Sequence, residues 1–260
     1  MLTPIQLKPN RILAGLALTF TLAFSDAPSA ALVDVGDGLI HDTDLNVTWA
    51  QDANLFKTLA TASGNAAIFV TTVINSVGGV IHDTPNSLDT PAHSGAYTLT
   101  AGDFNAATGQ LSWWGAQAWV GYLNSISYGG ETGWRLPITP IEISGYEMTD
   151  SELGHLFYTE LGGLANTPIT TKHNSNYDLF SNVPDSVYWY WSGTEFTADP
   201  RHAWSFYTYF GTQFDQYKDN QFFAWPVRAV PVPAAAWLMG SALLGLVGLR
   251  RRRTVALLEN

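Results

Sequence analysis

The sequence predicts one α+β domain over residues 32–230, flanked by two short apolar segments that stand outside its core. Three observations carry this. Two stretches set apolar residues at helical spacing between a capping residue and a glycine pair, and the last third alternates aromatic or β-branched runs with turn residues. Each end of the chain joins an apolar run of fewer than about twenty residues to a basic cluster, too short for a comfortable membrane span.

The domain opens with Gly38–His41 and Val47–Ala50, two β-type runs around the turn-forming Asp42-Thr43-Asp44-Leu45-Asn46, which predicts a hairpin. Residues 57–110 are rich in Ala, Ser, Thr, Gly and Asn, with one β-branched stretch, Ile68–Ile74, and read as a loop-rich insertion with one or two strands. Ser112 is placed to cap a helix whose apolar positions Ala116, Trp119, Val120 and Leu123 repeat at i, i+3, i+4 and i+7, ending before Gly129-Gly130. A second helix starts at the capping-box pair Thr149 and Glu152, continues through Leu153, Leu156, Phe157 and Leu161, and stops at Gly162-Gly163. Val187–Trp191, Ala203–Tyr209, Gln213–Tyr217 and Phe222–Val230 then predict an antiparallel sheet that closes the domain.

At the N-terminus, Lys8 and Arg11 precede the apolar run Ile12–Phe24, and Ser29, Ala30 and Ala31 follow it. This is the pattern of a signal peptide over residues 1–31, with cleavage after Ala30 or Ala31 and export through the Sec machinery. As a helix the run would rise about 20 Å, against a hydrocarbon core of about 30 Å. Residues 231–260 read Pro231-Val232-Pro233, then the apolar helix 234–249, then Arg250, Arg251, Arg252 and Arg253, whose charge favours the cytoplasmic side. This order resembles the PEP-CTERM sorting signal, with Val232 where the namesake motif has Glu. The resemblance implies handling by an exosortase, a transient inner-membrane anchor, and a final place in the envelope or on the cell surface of a polysaccharide-producing bacterium.

Charge narrows the partners. Residues 32–230 hold 20 acidic and 6 basic side chains, a net of −14, so nucleic acid and anionic lipid are repelled while cations and neutral glycans are not. The absence of cysteine excludes disulfides, thiolate metal sites and cysteine nucleophiles. No Gly-x-Ser-x-Gly or phosphate-cradling glycine loop occurs. Glu152 and His155 have the Glu-x-x-His spacing of carboxylate-bridged di-iron bundles, but no second copy exists, and His41, His82, His93, His173 and His202 lack zinc-like spacing. Asp42-x-Asp44-x-Asn46 opens like a calcium loop, yet Val47 and Ala53 stand where an EF-hand needs Gly and Glu. Two readings of Asp42, Asp44 and Asn46 therefore stand, a calcium ligand set and a solvated turn, and calcium is the sole cofactor suggested.

The 34 aromatic residues (10 Trp, 11 Tyr, 13 Phe) supply the remaining signal. Trp191, Trp204, Tyr207 and Trp225 lie in the terminal runs, where exposed rings could stack on sugars and buried ones would be core.

Gly38-Leu39-Ile40, Val47-Thr48-Trp49, Trp134-Arg135-Leu136-Pro137, Tyr190-Trp191-Ser192-Gly193-Thr194, Ala203-Trp204 and Val227-Arg228-Ala229-Val230 occur in that order. Together they resemble the Lcl-type C-terminal domain, a domain of unknown function named after a collagen-like bacterial adhesin. The resemblance implies a C-type-lectin-like α+β fold with two helices and an antiparallel sheet and, as in the adhesin, glycan binding. The sequence expectation is thus a non-catalytic exported surface or matrix protein with affinity for extracellular polysaccharide. The alternatives are a structural or adhesive protein without glycan affinity and a carboxylate-dependent hydrolase.

Overall fold

The structure is a computed structural model that describes residues 32–184 and 189–230. The signal peptide and the sorting tail lie outside the described residues; among these, no helix is long and apolar enough to cross a membrane.

Strands β1 (Leu32–Gly36), β2 (Leu39–Asp42) and β3 (Val47–Ala50) open the domain. Helices α1 (Leu55–Ala62) and α2 (Ala66–Ser76), hairpin β4 (Val80–His82) and β5 (Ala96–Thr98), and hairpin β6 (Phe104–Asn105) and β7 (Gln110–Leu111) follow. After α3 (Trp113–Ser125) come β8 (Trp134–Arg135), β9 (Gly145–Tyr146) and α4 (Glu152–His155), which runs on through a π-helical turn, Leu156–Glu160. Strands β10 (Trp189–Glu195), β11 (His202–Tyr207), β12 (Thr212–Tyr217) and β13 (Val227–Ala229) complete the chain. They form a five-stranded sheet in the order β1-β2-β3-β13-β8 and a four-stranded sheet in the order β10-β11-β12-β9, both antiparallel.

The opening hairpin forms as expected, with Leu39 opposite Ala50 and Asp42 opposite Val47. So does α3: the Ser112 side chain accepts a hydrogen bond from the Gly115 amide at 3.0 Å, and Ala116, Trp119, Val120 and Leu123 are all buried.

Three expectations need correction. Residues 57–110 are not a loop-rich insertion; they are largely helical and hairpin, which brings the domain to four helices rather than two. The β-branched run forms α2 because Phe69, Val70 and Val73 bury one face, while the hydroxyls of Thr71 and Thr72 each turn back to a carbonyl four residues earlier at 2.9 Å. Tertiary burial outweighs the weak strand preference. The second helix is capped by Ser151, not Thr149, since the Ser151 hydroxyl accepts from Gly154 N at 3.1 Å. Glu152 is released from the capping box to meet Arg135, whose guanidinium donates to both carboxylate oxygens at 2.6 and 2.7 Å. Finally, the last run does not extend the terminal meander. Val227–Ala229 pairs with β3 and β8, so both ends of the domain lie in one sheet.

Two hydrophobic clusters result, one around α1, α2 and α3, the other around α4, Trp49 and Trp225. Strand β10 divides them: Trp191 enters the first and Tyr190 the second, each with no exposed surface. Alternation along the strand here separates two cores instead of core from solvent.

Candidate functional site

The four aromatics singled out as a sugar-stacking surface are interior. Trp191, Trp204 and Trp225 are at most 1% exposed and Tyr207 is 8% exposed. The indole N–H of Trp191 donates to Leu111 O and that of Trp225 to Ala50 O, both at 2.8 Å, so these rings fasten the terminal strands to the rest of the domain. The stacking role is corrected to a packing role.

A groove of about 740 Å³ opens elsewhere, between α1, the loop after β6, and the segment after Phe180. Asn54, Lys57, Thr58, Thr61, Thr108 and Asn182 supply its polar lining. The local sequence explains the arrangement. Asp52 precedes α1 and accepts the Asn54 amide at 2.8 Å through Oδ1, while its Oδ2 accepts from Thr58 Oγ1 at 2.6 Å and Asn182 Nδ2 at 2.8 Å. Thr58 is thereby fixed one turn up the helix, and Asn182 is drawn in from far along the chain. Asn54 Nδ2 donates to Thr108 O at 3.0 Å, and its Oδ1 is buried with no hydrogen-bond partner among the described residues. Gly109, at φ +93°, makes this approach feasible, because any Cβ there would overlap the Asn54 amide.

Lys57 completes the groove. Of the six cations between residues 32 and 230, Arg135, Arg201, Lys218 and Arg228 are in ion pairs. Lys57 is exposed and makes no ion pair among the described residues. The groove therefore offers fixed amide and hydroxyl groups and one exposed ammonium, a set suited to a hydroxyl-rich neutral ligand. None of these residues was singled out in the sequence: most fall in the stretch read as a loop-rich insertion, and Asn182 joins them only through tertiary structure.

The aspartate turn takes a third form. Asp42 is fully buried; its Oδ1 accepts the amides of Asp44 and Leu45 at 3.1 and 2.9 Å, and its Oδ2 accepts Trp49 Nε1 at 3.3 Å. Asp44 is exposed, and the Asn46 amide donates to Val230 O at 3.1 Å, tying the last strand to this turn. The turn does not gather Asp42, Asp44 and Asn46 as ligands. It aims Asp42 inward, toward His155 and Glu160 on the fourth helix, with one ligand atom of each of the three within 4.8 Å of the others.

Over this geometry the comparisons decide the family. The sequence profile of the Lcl C-terminal domain matches residues 38–228. The chain belongs to that family. The match takes in both sheets apart from β1 and the last residue of β13, as well as all four helices, the groove and the Asp42 turn. No curated protein and no solved structure matches this Lcl C-terminal domain chain.

Proposed function

We propose that this protein is a non-catalytic, exported surface or extracellular-matrix protein whose domain binds neutral oligosaccharide in the groove beside α1. The observation that carries the reading is the preorganised Asp52–Thr58–Asn182 network, with Lys57, which makes no ion pair among the described residues, beside it. Sugar hydroxyls both donate and accept, and a site whose polar groups are already oriented loses little freedom on binding them. The domain's net charge of −14 disfavours polyanions, and membership of the Lcl C-terminal domain family supports a C-type-lectin-like fold. On a glycan array the purified protein is expected to bind neutral glycans, and Thr58→Val or Asn182→Ala to weaken binding about tenfold or more, the value of one or two lost hydrogen bonds. A blank array with folded protein would favour the alternative, a structural or adhesive protein without glycan affinity, for which the burial of all four candidate aromatics already speaks.

Placement at the surface is part of the same reading. It rests on the Lys8 and Arg11 leader, Pro231-Val232-Pro233 and Arg250 to Arg253, which support Sec export followed by PEP-CTERM sorting by an exosortase. Replacing the four arginines with alanine is expected to leave the protein mislocalised in cell fractionation. Unchanged surface display would remove the sorting mechanism.

A further inference from the structure

We propose that Asp42, His155 and Glu160 form a binding site for a zinc-like divalent transition-metal cation that pins the β2–β3 turn to the fourth helix. The site is created by the π-helical turn. On a regular α-helix, residues five apart point about 140° away from each other. In this helix the chain switches to the wider turn, marked by the Leu161 amide bonding to Leu156 O at 2.9 Å, five residues back. Consequently His155 Nε2 and Glu160 Oε1 are 3.1 Å apart on one side of the helix. The backbone carbonyl of Glu160 is held in turn by the amide side chains of Asn174 and Asn176 at 2.8 and 3.0 Å, so the end of the turn is fixed from outside. Widened turns of this kind recur at functional sites.

Charge and satisfaction point to a cation. Asp42 and Glu160 are 0% and 2% exposed, and each has a ligand atom within 4.8 Å of the other and of the His155 imidazole. Asp42 is oriented by two backbone amides and the Trp49 indole, as an outer shell orients a metal ligand. Glu160 has less support: the bond to His155 is the only hydrogen bond its carboxylate makes among the described residues. Burial first, and the Asp42 charge second, push its pKa up, which is the electrostatic cost that a bound cation would relieve. An imidazole nitrogen with two carboxylate oxygens suits zinc better than calcium, whose sites are built from six to eight oxygens. In a tetrahedral zinc site ligand atoms stand about 3.4 Å apart, so the three groups need only small side-chain movements to converge, and the fourth position is open to water. His155 is 17% exposed at its side chain and supplies the route in.

The test uses the full chain, purified without a histidine tag and stripped with chelator. Titration with zinc chloride is expected to show one ion bound per chain and, at free zinc about 100-fold above Kd, a Tm raised by about 5–10 °C. Calcium chloride should do neither. Glu160→Gln should abolish the shift; His155→Gln, at a partly exposed position that tolerates change, should weaken zinc at least tenfold and alter the absorption bands of the cobalt(II)-loaded protein. Absence of stoichiometric zinc, a calcium shift in place of a zinc shift, or zinc binding unchanged by His155→Gln would each overturn the proposal.

Discussion

Lys218→Met is expected to remove about 3–5 kcal/mol of stability, the largest loss of any single polar substitution in the domain. The Lys218 side chain has no exposed surface, and its ammonium lies 2.6 Å from Asp83 Oδ2 and 2.8 Å from Glu195 Oε2, over the ring of Trp113 at 4.5 Å from the centroid. The Trp114 indole donates to the same Asp83 oxygen at 2.9 Å. One cation thus binds the β4–β5 region to β10, and removing it leaves two carboxylates close together with Asp83 wholly enclosed. Since domains of this kind have about 5–15 kcal/mol in all, urea unfolding should show a much lower midpoint. Lys218→Met combined with Asp83→Asn and Glu195→Gln should recover much of the loss, because the cost lies in the stranded charge rather than in the missing pair. Burial, the largest effect, raises the Asp83 pKa above its ordinary value even against Lys218. A raised folded-state pKa favours folding below the unfolded value of about 3.9 and loses that advantage as pH rises through the folded value. The Lys218→Met defect should therefore be smallest in acid. A variant equally unstable at all pH values would contradict this.

Trp191→Ala is expected to cost about 3–5 kcal/mol, with loss of near-ultraviolet circular dichroism and of any ligand binding together. The indole is fully buried, packs 4.7 Å from the Phe222 ring centroid, and donates to Leu111 O. Trp191→Phe, which keeps most of the volume and loses the donor, should cost about 1–2 kcal/mol and leave binding intact. A stable Trp191→Ala protein that had lost only glycan binding would restore the ring to a contact surface.

What the sequence disclosed followed from local rules. Ser112 with its four apolar positions specifies α3, and the Asp42–Asn46 turn specifies the β2–β3 hairpin, because cap, periodicity and turn chemistry agree there. Where local signals conflicted, burial decided: α2 is built around Ile68–Ile74, residues that individually favour strands, and Glu152 prefers Arg135 to its cap. The sites were hidden for two further reasons. The groove joins Asp52 to Asn182 across 130 residues, and nothing local marks such a pair. His155 and Glu160 are five apart, a spacing that helical pattern reading assigns to different faces, and only the π-helical turn brings them together. The aromatics misled differently. Alternation separates two faces of a strand, but it does not tell that both are buried when the sheet lies between two cores.

The groove itself is most directly tested by following backbone amide resonances of the protein during titration with a neutral oligosaccharide. Shifts are expected to concentrate at Asn54, Lys57, Thr58, Thr108 and Asn182, with the amides around Trp204 and Trp225 unmoved. Shifts centred on the terminal strands, or none at saturating ligand, would contradict binding in the groove.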